Sequence, residues 1–307
     1  DLSREVNIDY CRDNDVGIVR RITGGGAIYL DEGQLGWEIV FHRTSLGIPA
    51  LPDLAREICN AAAAGLSRLG VDAKFRPRND IEVDGRKISG TGGFFDGDVL
   101  IYQGTVLVDM NPGHMVSALR IPERKLAKRS LDSAAQRVVT FKELLGDSLP
   151  DLDAIKAALI AGFESGLGIR ASAGDITDAE EALARQHFDD EIGRDDFVAE
   201  INDPAAESDT YPGTYTGSGG TSDAFVKLEG PGNGTLQRVL FSGDFFVTPP
   251  RTVFDLEARL AGTPIEEIDA TIDSFFADNE VGTLSVLPGD FRAAVADALG
   301  KREKKHA

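Results

Sequence analysis

An Asp-Gly pair at positions 84–85 sits between two short β-prone runs, Ile81–Val83 and Arg86–Ser89. That arrangement is among the strongest local signals for a hairpin with a type I′ turn. A hairpin makes its two strands antiparallel, which excludes a sheet built only from parallel βα repeats. Three further β-prone runs, Trp37–His42, Val71–Pro77 and Val99–Asp109, are separated mostly by glycine-containing turns. Leu51–Leu69 reads as a helix: Leu54, Ile58, Ala62, Leu66 and Leu69 recur at helical spacing, Pro52 suits the first turn, and Gly70 fits the stop. Met115–Arg120 and Asp151–Glu164 read as two more helices, the second with Leu152, Ile155, Leu159 and Phe163 on one face. Strands with few regular βα repeats predict an α+β fold.

The chain has 307 residues, a length that suggests two domains. Asp175–Asp209 holds 13 acidic residues against Arg185 and Arg194 alone. It opens as a helix and runs on into a Pro/Gly/Ser-rich stretch, Asn202–Gly220, that reads as a linker or hinge. Beyond it, Ala224–Leu228 and Leu236–Phe241 read as strands, and Val253–Leu260 and Glu266–Phe276 as helices, enough for a small α+β unit of its own. The division expected is therefore 1–185, an acidic linker or domain edge at 186–209, and a second unit at 210–300.

The formal charge of −19 argues against a protein that holds nucleic acid by general phosphate attraction. The charge is uneven: residues 1–170 carry a net −3 and residues 171–307 a net −16. A near-neutral first part suits a site for an anionic ligand. No apolar run approaches the ~20 residues of a membrane span. Cys11 and Cys59 are the only cysteines, which favours a reducing compartment, the cytoplasm, over a disulfide scaffold. Packing is the expected role of both and of Trp37, and, in some mixture, of Phe94, Phe95, Phe245 and Phe246.

Two segments carry chemistry. In Arg20-Arg21-Ile22-Thr23-Gly24-Gly25-Gly26-Ala27-Ile28-Tyr29, three glycines let the backbone approach a ligand closely and can aim their N–H groups at an anion. Flanking β-prone runs, Val16–Arg21 and Ala27–Leu30, predict a strand on either side, and a tight turn between strands would account for the glycines equally well. The segment is not a Walker A loop, since no Gly-Lys-Ser/Thr follows. In the second segment, Arg78–Gly90, Asp80 is a hard oxygen ligand of the kind Mg²⁺ accepts beside phosphates, or a solvated carboxylate at a strand end. Lys87, one of only ten lysines, is set where a strand could aim it into a pocket or leave it at a solvated edge.

Arg-Arg-Ile-Thr-Gly-Gly-Gly-Ala, Asn-Asp-Ile and Gly-Arg-Lys-Ile-Ser-Gly, in this order and spacing, closely resemble the lipoate–protein ligase family. The resemblance continues through Gln103–Asp109 and Gln136–Thr140 and reaches Phe241-Ser242-Gly243-Asp244-Phe245-Phe246. It implies a catalytic domain with the sheet fold of biotin ligases and class II aminoacyl-tRNA synthetases, followed by an accessory domain that reorients once the adenylate forms. The implied activity joins lipoate to ATP, giving lipoyl-AMP and pyrophosphate, and passes the lipoyl group to a lysine of an acceptor lipoyl domain, releasing AMP. Such domains occur in 2-oxoacid dehydrogenase complexes and in the glycine cleavage H-protein. Arg21, Gly24, Gly25, Gly26, Ala27, Ile28, Tyr29 and Asn79 are implied to bind ATP and the adenylate. Lys87 is implied to touch the lipoyl carbonyl and the phosphate, and Asp80 is the Mg²⁺ candidate. In the family a first strand and helix stand ahead of the position matched by Asp1. The chain departs from the family at Thr91-Gly92-Gly93, where Ser-Ala is usual, and at Gln103, where His is common. A cysteine-dependent octanoyltransferase of the same superfamily would need a thiol just before Asn79-Asp80, and Val71–Arg78 has none. A module that binds ligand without catalysis is the further alternative.

Overall fold

The computed structural model describes residues 1–42, 44–48, 50–77, 79–120, 136–217, 220–249, 251–283 and 286–305, the last three as backbone alone. Two short helices, α1 (Leu2–Glu5) and α2 (Ile8–Asp13), begin the chain. Five strands then form one antiparallel sheet: β1 (Gln34–His42), β2 (Lys74–Arg76), β3 (Asp80–Val83), β4 (Arg86–Asp96) and β5 (Val99–Leu107), in the spatial order β1-β5-β4-β3-β2. The turn predicted at Asp84-Gly85 joins β3 to β4, and both residues take positive φ, 50° and 77°, as a type I′ turn requires.

One face of this sheet is dry. Helix α3 (Leu51–Ser67) buries Leu54, Ile58, Ala62 and Leu66 against it, the spacing visible in the sequence. Two short helices, α4 (Pro112–Ala118) and α5 (Phe141–Leu145), precede α6 (Leu152–Leu167), which packs beside α3. The Asp151 side chain accepts from the Ala154 N–H at 2.8 Å and so caps the start of α6. Ile155, Leu159 and Phe163 are buried, whereas Leu152, in the first turn, stays half-exposed. Ile81, Ile88, Leu100, Tyr102 and Val106 complete this core from the strands. Each such aliphatic side chain contributes roughly 1.5–3 kcal/mol by leaving water.

Val16–Arg21 and Ala27–Leu30, expected as strands, belong to no strand and have no strand partner among the described residues. Their β propensity is real, but a strand needs a neighbour to bond. Without one, Val19, Ile22, Ile28 and Leu30 are exposed.

The acidic stretch forms α7 (Asp178–His187), which crosses the boundary expected at 185, and α8 (Asp195–Val198). The second unit has its own core. Strands β6 (Thr210–Gly217), β7 (Gly220–Glu229) and β8 (Thr235–Gly243) form an antiparallel sheet, β6-β7-β8. A two-residue strand β9 (Val247–Thr248) pairs with β10 (Gly282–Thr283), and helices α9 (Thr252–Leu260), α10 (Ile268–Asp278) and α11 (Pro288–Lys305) pack around them. Val226, Leu236, Leu256, Ile272 and Phe291 lie at its centre. One reading is corrected here. Thr210–Gly217 is a strand and not part of a hinge: β6 is an edge, where Pro212 costs no ladder bond, and Gly213 lies so close to α11 that a Cβ would meet the Ala294 carbonyl oxygen at 2.1 Å. Helix α11, which the hydrophobic spacing did not reveal, closes the unit.

The Glu257 carboxylate on α9 is half-buried and accepts from the Phe241 N–H on β8 at 2.6 Å. Burial raises its pKa from 4.5 to about 7, against the opposing pull of that N–H and of Arg238. Its pKa is raised in the folded state, so its contribution to stability is full below about pH 4.5, falls as pH rises to about 7, and is constant above. Denaturant titrations from pH 4.5 to 8 should show the wild type losing stability across that window relative to Glu257→Gln, which keeps the acceptor and cannot ionise.

Candidate active site

The other face of the first sheet, the segment Arg21–Leu30 and the second unit enclose a cleft of about 1660 Å³. Every residue singled out from the sequence lines it: Arg21, Gly24, Gly25, Gly26, Ala27, Ile28, Tyr29, Asn79, Asp80 and Lys87.

Lys87 reaches the cleft through an irregularity. Ser89 pairs with Ile81 and Lys87 with Glu82, so Ile88 is the extra residue of a β-bulge in β4. Residues three apart on a regular strand point to opposite faces. Here the bulge turns Lys87 onto the face of Gly90, where a Cβ at position 90 would meet Lys87 Nζ at 2.5 Å. The Lys87 backbone is also held from the other side, its N–H donating to Arg137 O at 2.8 Å and its carbonyl accepting from the Val139 N–H at 2.9 Å. The Gln136–Thr140 run therefore buttresses the lysine.

Lys87 Nζ lies 2.7 Å from Asp80 Oδ1, and Arg76 donates to Asp80 Oδ2 at 2.5 Å. Burial alone would raise the Asp80 carboxyl, but Lys87 and then Arg76 outweigh it and hold the group below the usual carboxylate range. Both oxygens of Asp80 are thus engaged by cations. Among the described residues no group of three or more His, Cys, Asp or Glu side chains is placed to hold a metal. The arrangement fits a carboxylate that positions Lys87 better than a Mg²⁺ ligand. Asn79 is spent on β4, its side-chain amide donating to Thr91 O while its carbonyl accepts from the Thr91 N–H at 2.8 Å.

The glycine segment is built around Arg21. Its guanidinium donates to the carbonyl oxygens of Thr23, Gly24, Gly25 and Gly26, so the loop turns its oxygens inward onto its own cation. Of the loop's N–H groups, that of Gly25 donates to Phe245 O at 2.9 Å and that of Ala27 to Glu5 Oε2 at 3.0 Å. Burial draws the Arg21 guanidinium down from its ordinary value, with Glu5 opposing. Gln103 Nε2 donates to Thr23 Oγ1 at 3.1 Å and ties the loop to β5, a use for one of the two family departures. The other departure is steric: a Cβ at Gly92 would lie 2.4 Å from Cε1 of Phe246. Phe246, expected in a core, is only half-buried and lines the cleft, while Phe94, Phe95 and Phe245 are buried. Nothing in the sequence around Phe246 marked it as different from its neighbour.

Both cysteines are buried and free. Cys59 Sγ lies 3.3 Å from Thr91 Oγ1 and 3.5 Å from the Tyr102 hydroxyl; burial raises its thiol, and those two contacts only partly offset the rise. Trp37 packs against Phe163 and Tyr102 and also lines the cleft. No described helix is long and apolar enough to cross a membrane.

Residues 1–164 match the family model described as the lipoyl protein ligase A/B catalytic domain. The chain is 34% identical to lipoate-protein ligase LplJ of Bacillus subtilis over 145 residues, 47% of this chain and 43% of that one. It thus spans less than half of LplJ. Octanoyltransferase LipM of Kyrpidia tusciae is 26% identical over 60% of this chain and 74% of its own length. Among solved structures, the bi-partite lipoate protein ligase of Thermoplasma acidophilum, described with its E2 lipoyl domain, superposes with a TM-score of 0.57 at 28% identity, over 63% of this chain and 74% of that one. A lipoate-protein ligase A bound with ATP gives 0.55 at 27% identity, over 63% and 76%. P. falciparum LipL1 in complex with lipoate gives 0.66 over 91% of this chain and 76% of that one, a likeness of fold at 18% identity.

The Asp80 geometry is directly testable. A carbon-13 NMR titration should place the Asp80 carboxyl below 3.8 in the wild type. In Lys87→Ala, with the nearest cation removed and burial remaining, the midpoint should rise. An unmoved midpoint would mean that Lys87 is not its partner in solution.

Proposed function

The chain belongs to the lipoyl protein ligase A/B catalytic-domain family, and on that premise we propose that it is an ATP-dependent lipoate–protein ligase. In this reading it activates lipoate to lipoyl-AMP and transfers the lipoyl group to a lysine of an acceptor lipoyl domain. The observation that carries the reading is the juxtaposition of Lys87 and the Arg21-clasped glycine loop across one cleft, with Lys87 turned there by a bulge. Adenylation brings a carboxylate and a triphosphate together, two anionic groups that repel. An ammonium fixed by Asp80 offsets the charge developing on the carboxylate and phosphoryl oxygens, without acting as a nucleophile. The loop supplies close backbone approach, and holding both substrates in one cleft supplies orientation. Arg21 would act mainly by shaping the loop, since its donors face the loop's own carbonyls.

We assign 1–185 to the catalytic domain and 210–300 to the accessory domain, with 186–209 as the acidic edge between them; α7, the first unit's last helix, runs across that first boundary to His187. The separate cores on either side of that edge support the division. The acceptors would be lipoyl domains of 2-oxoacid dehydrogenase complexes or the glycine cleavage H-protein, and the site of action the cytoplasm, where ATP is available. Asp80 is committed to Lys87 and Arg76, so Mg²⁺ would accompany the ATP phosphates and not a site preformed by this carboxylate. A thioester route of the octanoyltransferase kind needs a reachable thiolate, and the fully buried Cys59 with its raised thiol does not offer one.

Incubating the protein with lipoate, ATP, Mg²⁺ and a lipoyl domain should add one lipoyl group to the domain, read by mass spectrometry. Lys87→Ala should keep the fold and slow adenylate formation by about 100-fold or more. No added mass in the presence of ATP, with transfer from an octanoyl thioester donor instead, would overturn the assignment.

A further inference from the structure

The glycine loop is not positioned by secondary structure, because residues 16–30 have no strand partner among the described residues. Its height above the sheet must come from side chains and from neighbouring segments. The Arg21 clasp is internal and fixes only the loop's shape. One tether comes from β5, Gln103 to Thr23. Others come from α1, where Glu5 Oε2 accepts from the Ala27 N–H at 3.0 Å, from Gln34, whose side-chain amide donates to Tyr29 O at 2.9 Å, and from Arg20, which donates to the Phe197, Val198 and Ile201 carbonyl oxygens. Two more come from the second unit. Phe245 O accepts from the Gly25 N–H at 2.9 Å, and the Phe246 ring stands between the loop and β4. A Cβ at Gly25, which has φ +98°, would lie 2.7 Å from Cζ of that ring, and one at Gly92 would lie 2.4 Å from Cε1. The ring therefore touches both walls, with no room for even one methyl group on the strand side. Three residues along β4, Phe95 donates its N–H to Thr248 Oγ1 at 2.9 Å and accepts from the same hydroxyl at 3.2 Å, both buried. That pair fixes where the Phe245–Thr248 segment sits along β4. The cleft keeps its volume of about 1660 Å³ with the ring in place, so the ring does not fill the ligand space.

We propose that Phe246 is a positioning residue for the glycine loop, a wedge from the second unit that sets the distance between the loop and Lys87, and that Gly92 is the notch that admits it. The role rests on the adenylating function assigned above. The decisive test is a swap of volume between the two positions in the full chain. Phe246→Ala removes the wedge, Gly92→Ala expels it, and Gly92→Ala with Phe246→Leu trades a methyl group for a smaller wedge.

Two readouts are needed. Hydrogen exchange of the amides in 22–30, without ligand, reports whether the loop is held. The KM for ATP in lipoate-dependent pyrophosphate release reports whether its position serves the reaction. Both single variants should exchange faster in 22–30 and raise the KM about tenfold or more, since displacement of about 1 Å can cost up to about 100-fold. The double variant should recover most of both losses. Unchanged exchange and KM in Phe246→Ala, or a double variant no better than Gly92→Ala, overturns the proposal. A wild type that releases no pyrophosphate sinks the functional assignment instead, and the exchange of 22–30 then decides on the wedge by itself.

Discussion

The strict alternation of side chains along a strand is the constraint on which this molecule depends, together with the one place where it is broken. Alternation gives the first sheet a face that α3 and α6 can cover with Leu, Ile and Phe side chains and a face left for a ligand. On a regular β4, residue 87 would point away from the face of Gly90. The extra residue at Ile88 reverses that, leaving Ile88 fully buried in the core and Lys87 at the cleft. An ammonium in the dry core would have required a buried partner or a lost charge. The bulge thus reconciles a hydrophobic core with a cationic site one residue away.

Much of this was legible in the residues themselves. The Asp84-Gly85 turn, the helical periodicity read over Leu51–Leu69 and the helix read from Asp151 are local signals, and local signals survive folding. So did the grouping of the glycine triplet with Asn79, Asp80 and Lys87, which the fold brings to one cleft. What escaped depends on neighbours that a sequence does not display. Val16–Arg21 has the composition of a strand but finds no strand partner among the described residues. Tyr211-Pro212-Gly213 has the composition of a turn but lies on an edge where Pro is harmless and Gly is needed by α11. Phe245 and Phe246 are identical as residues and adjacent in the chain, yet one packs inward among aromatic rings while the other enters the cleft. The direction of the Arg21 side chain was equally hidden: its charge was visible, but its engagement with four carbonyl oxygens of its own loop was not.

The two halves differ in how their charge is held. In the first, the important cations are paired or wrapped: Lys87 with Asp80, Arg76 with Asp80, Arg21 with backbone oxygens. In the second, acids predominate and many face water, as along α7, where every residue is exposed. Exposed pairs such as Arg185–Glu181 contribute little, of order 0–1 kcal/mol, so the acidic surface serves solubility more than stability.

The clasp around Arg21 has a consequence for the kind of attraction the cleft can exert. A half-buried guanidinium wrapped by carbonyl dipoles is partly shielded from mobile ions, whereas exposed lysines on a rim lose their reach within a Debye length of about 8 Å in physiological salt. On the proposed function, an anion at this loop would meet the fixed dipoles of a backbone shaped by that cation and not a diffuse positive field. Its retention should be nearly indifferent to the ionic strength of the surrounding medium, while its arrival gains nothing from steering by a chain of net charge −19. Such a site selects by fit once the ligand is inside, and leaves the encounter to diffusion.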